Sequence, residues 1–200
     1  MKKLAVTAIG VCCLSGAVAI AQDAIAQDTG TTRPADTTRT ADASGMQRSK
    51  LSSGEFVKKA GAAGVAEVAA GKLGSEKATS PEVKAFAQKM VTDHTKANKE
   101  LMAAAKAKNL EVPTEADMMH KAMMEKFEHQ KADTDFDHDF MQQMVRDHEK
   151  VVELFQQASI DQNVDAELRS WAKTTLPHLQ AHLKDAKALE AKLDAKEKKN

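Results

Sequence analysis

Four long stretches of this chain place apolar or small side chains at alternating steps of four and three, and that period limits it to helices packed along their length. One stretch carries Val83, Ala87, Met90, His94, Ala97, Leu101 and Ala104, and another carries Met141, Met144, His148, Val151, Phe155 and Ala158. A third seam runs Leu168, Trp171, Thr175, Leu179, His182, Ala186, Leu189 and Leu193, and a fourth runs Ala60, Gly64, Glu67, Gly71, Gly74 and Ala78. Strand signals are missing beyond residue 51: there is no Tyr, little alternation, and a wealth of Ala, Lys, Glu, Leu, Met and Gln. The expected fold class is all-α.

Start and stop signals divide the helices. Ser52 with Glu55 reads as a capping box, Ser80 precedes Pro81 at a first helical position, Thr114 pairs with Asp117, Thr134 pairs with Asp137, and Asn163 or Asp165 opens the last segment. These signals predict helices over 53–78, 81–108, 115–131, 135–160 and 165–196. A helix of about 25 residues spans about 38 Å, so the four long rods match a four-helix bundle. The short third helix falls in the connection between the second and third long ones, where some bundles place a crossover.

Each seam also holds one side chain of metal-ligand type: Glu67, His94, His148 and His182. Two of the histidines sit in near-copies of one heptapeptide, Met90 to Lys96 and Met144 to Lys150, identical at five of seven positions and 54 residues apart. Glu67, His94 and His148 each lie 14 residues beyond Ser53, Ser80 and Thr134, and His182 lies 17 beyond Asp165. The first three thus fall about 21 Å along their rods and His182 less than one turn further, so all four can share one layer. Three imidazoles and a carboxylate suit one divalent first-row transition metal. The other reading is a metal-free buried cluster in which each imidazole bonds to Glu67 or a neighbour, since buried polar groups need partners. Separation decides between them in part: side-chain nitrogens of His94 and His148 more than about 8 Å apart could not share a metal with bonds near 2.1 Å.

The remaining candidates are secondary. Asp93 and Asp147 could be further ligands or acceptors for the histidines, or exposed partners of Lys96 and Lys150. His178 stands one turn before His182 and could pinch a metal with it, while Pro177 beside it predicts a bend. Met118, Met119, His120, Met123 and Met124 form a soft donor set for Cu(I), or else gap-filling core methionines. His129 and His138 read as surface residues, and Trp171 as core. Nucleophilic catalysis lacks a Gly-x-Ser-x-Gly elbow or a phosphate-binding loop, so an enzyme here would have to be metal-dependent.

The ends set the expected compartment. Lys2 and Lys3, the apolar run Leu4 to Ala21, and the patterns Ala19-Ile20-Ala21 and Ala24-Ile25-Ala26 read as a signal peptide over residues 1–26, cleaved to leave an exported, periplasmic protein. Retained, the same run would tether the domain to a membrane. Cys12 and Cys13 both fall within it, so the mature domain has neither disulfide nor thiolate chemistry. Residues 27–50, rich in Thr, Ala and Asp, read as a disordered leader, 51–196 as the helical domain, and 197–200 as a charged tail. Without residues 1–26 the chain has 27 basic and 28 acidic residues, and no basic face points to nucleic acid. The terminal run from Leu183 is amphipathic, which gives weak support to membrane contact. An envelope protein is the expected class of partner.

From about Glu55 to Leu189 the chain resembles the bacterial family called domain of unknown function 4142, whose members are exported and have a ferritin-like fold. The resemblance rests on Phe56-Val57, Ala66-Glu67-Val68, Gly71-Lys72-Leu73, Val83-Lys84-Ala85-Phe86-Ala87, the two Asp-His heptapeptides, and Thr175-Leu176-Pro177 through His182. It implies a ferritin-like four-helix bundle and an envelope location, and it supplies no activity. The Glu-x-x-His pairs of ferritin-like di-iron enzymes are absent, since Val91, Val145 and Leu179 stand three before the histidines. The expected function is therefore a non-enzymatic binding or stress-associated module, with a single-metal, redox-capable protein as the alternative.

Overall fold

Five helices and no strand are present among the described residues, 50–198 of a computed structural model: α1 Ser53–Lys77, α2 Pro81–Lys106, α3 Met118–His129, α4 Thr134–Ile160 and α5 Ala166–Glu197. The expected signal peptide, residues 27–49 of the leader and the last two residues of the tail lie outside the described residues. No described helix is long and apolar enough to cross a membrane.

The long helices touch in the cyclic order α1, α2, α5, α4, with the most extensive packing between α1 and α2 and between α4 and α5. Two apolar clusters fill the space they enclose. One gathers Phe56, Leu101, Phe155 and Leu168, and the other gathers Met90, Phe136, Phe140 and Met144. Following each helix from one cluster to the other gives its direction: α1 and α5 run one way, α2 and α4 the other, so every touching pair of long helices is antiparallel. Because α2 ends where α4 does not begin, the chain between them must return along the whole length. That return contains α3, which packs on α1 and buries Phe127 edge-on against Phe136 and Phe140. Lys77 holds it there by donating to the carbonyls of Phe127, Glu128 and Gln130.

Helix starts follow the sequence signals at α1, where Ser52 and Glu55 form the capping box, and at α5, where Asp165 accepts from the Glu167 N–H. Two expectations are corrected. Asp117 is itself the cap of α3, accepting from His120, so the helix begins three residues later than Thr114 suggested. Asp133, not Thr134, caps α4, and this frees Asp137 for a different task. Asp137 is buried and accepts from the Thr79 and Ser80 N–H groups at 2.8 and 2.7 Å and from the Thr79 hydroxyl at 2.6 Å, capping α2 from another helix. Ser80 makes no side-chain cap of its own. Trp171 is only partly buried on Phe56 and Phe155, and Ala172 occupies the core position beside it. α5 continues through Pro177 without a break in the helix.

Small residues let α1 lie close to α2. A Cβ on Gly71 would stand 2.8 Å from the Ala87 backbone carbonyl, a contact that only a shift of the helix could relieve. Gly54, by contrast, has nothing within 4 Å of where its Cβ would be. Urea unfolding should therefore separate two chemically identical changes. Gly54→Ala is expected to gain about 0.5–1 kcal/mol from helix propensity, and Gly71→Ala to lose about 1–3 kcal/mol from overpacking. Equal effects at the two positions would contradict the close α1–α2 approach.

Candidate metal centre

Between the two apolar clusters every long helix contributes one buried polar side chain; the three histidines meet, while Glu67 lies beside them, outside their triangle, with Oε1 3.7 Å from His148 Nδ1. On α2, His94 follows Met90 and precedes Leu101; on α4, His148 follows Met144 and precedes Val152. On α5, His182 follows Leu179 and precedes Ala186, and Glu67 takes the same place on α1. All four are at most 5% exposed. The three rings form a nearly equilateral triangle, with centroids 5.4, 5.6 and 5.7 Å apart. One ring nitrogen from each lies within 4.8 Å of those of the other two. That is well inside the 8 Å limit for a shared ion. Bonds of about 2.1 Å put tetrahedral ligands about 3.4 Å apart, so small ring rotations would close the set on a metal.

The hydrogen bonds fix which nitrogen of two rings faces inward. His148 donates from Nδ1 to the Met144 carbonyl at 2.8 Å, and His182 from Nε2 to the Asp93 carboxylate at 2.8 Å. A neutral imidazole that donates through one nitrogen presents a lone pair on the other. Those remaining atoms, His148 Nε2 and His182 Nδ1, are buried with no hydrogen-bond partner, and so are His94 Nε2 and Glu67 Oε2. His148 Nδ1 lies 3.7 Å from Glu67 Oε1, beyond hydrogen-bond range. Two imidazoles thus bond to neighbours, as the metal-free reading expects, while one atom of each of the four side chains has no protein partner.

The charge states match. Burial pushes the imidazoles of all three histidines down: His94 far below 6.5, with the neighbouring His148 and His182 adding to it, and His182 to about 4. For His148, burial outweighs the opposing bond to Met144 and the charge of Asp147. All three are neutral near pH 7, the form that binds metal. Burial, reinforced by the Asp147 charge, raises Glu67 to about 8. At neutral pH the layer thus carries a protonated carboxyl and no net charge.

The secondary candidates separate. Asp93 does not pair with Lys96 but with Lys89, at 3.2 Å, while accepting from His182. Burial works to raise its carboxyl, yet those two partners hold it below the ordinary range. It is thus an orienting acceptor, and for the histidine of a different helix from its own. Asp147 lies 3.5 Å from Lys150 as expected, but it is buried and accepts from Gln143 at 2.8 Å. His178 is exposed and stands outside the triangle. The soft set on α3 is not assembled: Met118 and Met119 are 80% and 72% exposed, Met123 and Met124 pack on the core, and His120 bonds to Asp117. His129 is exposed as expected; His138 is partly buried and pairs with Asp194 at 2.6 Å. Sequence reasoning missed Asn98, whose carboxamide approaches Gly64 beside the layer, because nothing in its local spacing marks it.

Two cavities adjoin the layer. One of about 280 Å³ lies between α2 and α5, lined by His94 and His182 together with Asp93, Glu100, Thr174 and His178. The other, about 20 Å³, touches Glu67, His94, Asn98 and Thr175. It is large enough for one water molecule.

These features define an all-helical protein with a buried Glu/His3 layer. The chain belongs to the family described as Domain of unknown function (DUF4142), whose profile matches residues 35–189. Neither the curated proteins nor the solved structures include a match to it.

The pKa shifts predict how the metal-free protein responds to pH. Below 6.5 an unfolded chain takes up protons that the buried histidines refuse, so stability falls as pH drops from 6.5 toward 4. From 4.5 to 8 an unfolded chain releases the proton that Glu67 retains, so this residue lowers stability as pH rises. Three histidines outweigh one carboxyl below 6.5, and Glu67 acts alone above it. Urea unfolding with chelator present should show maximal stability near pH 6.5, and Glu67→Gln should abolish the decline toward pH 8. A decline unchanged in Glu67→Gln would refute the raised carboxyl.

Proposed function

We propose that this chain is an exported, ferritin-like four-helix bundle of the cell envelope that binds one divalent first-row transition metal through His94, His148, His182 and Glu67. The observation that carries the reading is the set of four buried ligand atoms, one per long helix, with no protein partner. Each unpaired buried polar atom costs about 1–3 kcal/mol, and a cation among the three ring nitrogens would satisfy them, with Glu67 completing the set by a rotation of its side chain. The two oriented rings add support, since metal-binding histidines donate their other N–H to a carbonyl or carboxylate, as His148 and His182 do to Met144 and Asp93. The antiparallel long helices with a crossover between α2 and α4 support the ferritin-like bundle, and the Lys2 to Ala26 pattern supports export.

The donor set defines the ion's class. Three imidazoles and a carboxylate suit Zn, Cu, Fe or Ni, and Cu²⁺ would bind tightest by intrinsic affinity. A zinc centre would be redox-silent, whereas copper or iron would add electron transfer. In either case Glu67 gives up its proton to become a ligand, so uptake releases acid.

Elemental analysis of protein purified from its native compartment should find one transition-metal ion per chain. His94→Leu and His148→Leu should remove it. In chelator, His94→Leu should be no less stable than the parent, because it deletes an unpaired buried nitrogen whose burial costs about 1–3 kcal/mol. A metal-free parent, together with marked destabilisation by both substitutions, would mean that the layer is purely structural.

A further inference from the structure

The α2–α5 cavity gives the metal reading a consequence for exchange. Three sides of the Glu/His layer are closed or lead elsewhere. Along α1 and α2 the backbones approach closely at Gly71, and the space beside Gly64 and Asn98 is the small cavity of about 20 Å³. α4 and α5 pack extensively along their lengths. A cavity on the α1–α4 side is lined by Lys59, Asp117, His120, Asp147 and Lys150, and includes neither Glu67 nor any of the three histidines. Contact between α2 and α5, as between α1 and α4, is sparser than at the other two sides, and the cavity of about 280 Å³ that touches His94 and His182 occupies the α2–α5 gap. Two walls of it, His94 and His182, are at least nine-tenths buried and carry ring nitrogens without partners.

We propose that this cavity is the path by which a divalent cation enters and leaves the histidine centre, with Glu100, His178 and Asp93 as transit groups. The inference rests on the metal reading above. Its chemistry follows from the lining. Glu100 is exposed, and its two oxygens make only long contacts, 3.9 Å to Lys96 Nζ and 3.3 Å from the Trp171 indole N–H, which a hydrated cation can displace. His178, exposed one turn before His182, offers an imidazole in the same cavity wall. Asp93 lies deeper, touching the inner ring directly through His182 Nε2. Carboxylate, imidazole and carboxylate lead from solvent to three imidazoles, replacing the ion's water a ligand at a time. A structural zinc site closes on its ion; this one opens on one side and exchanges it.

Stopped-flow uptake of Zn²⁺ by the full chain, with release measured into excess EDTA, tests the path. Thr174→Trp, which fills the mouth from an exposed position, should slow uptake and release together by about tenfold and leave Kd unchanged, because a blocked passage raises the barrier equally from both sides. Ala97→Leu should act in the same way from the opposite wall, and His178→Ala should slow both rates by about threefold. Ala69→Leu, in the separate α1–α2 surface groove, should change neither. Unchanged rates in both Thr174→Trp and Ala97→Leu, or slowing by Ala69→Leu alone, would overturn the path while leaving the metal centre standing. A parent chain that binds no Zn²⁺ would overturn the metal reading itself.

Discussion

Four polar side chains are held in the middle of a hydrophobic interior by four different helices, and each keeps one ligand atom away from every hydrogen-bond partner. Burying such atoms opposes folding, and the same burial depresses the histidines and raises the carboxyl. The two apolar clusters above and below offset that cost. Phe56, Leu101, Phe155 and Leu168 on one side, and Met90, Phe136, Phe140 and Met144 on the other, fix the helices around the layer instead of closing over it. Local conflict within an otherwise consistent fold is the usual mark of a functional site.

Other features make sense as support for that layer. The glycines of α1 bring its backbone against α2, which holds Glu67 beside the three imidazoles. Asp137 ties the start of α2 to α4, which keeps His94 and His148 at one height despite the long return through α3. Asp93 and the Met144 carbonyl then set two of the rings, leaving their lone pairs turned inward. Preorganisation of this kind, with ligands fixed by groups behind them, reduces what a metal must reorder on binding.

Much of this was legible in the sequence because it depends on local periodicity. The steps of three and four gave the helices to within two or three residues at most ends, and counting from the caps placed Glu67, His94, His148 and His182 at one height. What local spacing could not show were contacts made between helices. Asp137 looked like the partner of its neighbour Thr134, yet it serves Thr79 and Ser80, 58 and 57 residues away. Asp93 read as either an acceptor for a histidine or a surface partner of Lys96, and only the fold shows that the histidine it serves is His182, 89 residues away. The methionines of α3 have helical spacing suited to a soft metal, but only the fold shows that Met118 and Met119 face solvent while Met123 and Met124 face the core.

The central claim is that the three histidines and Glu67 share one cation. Anomalous diffraction at the zinc edge from crystals of the full chain grown with Zn²⁺ addresses it directly. The account predicts one peak within the triangle, about 2.1 Å from a nitrogen of each of His94, His148 and His182 and from a Glu67 oxygen. A triangle without a peak, in crystals that bind zinc elsewhere or not at all, would contradict it.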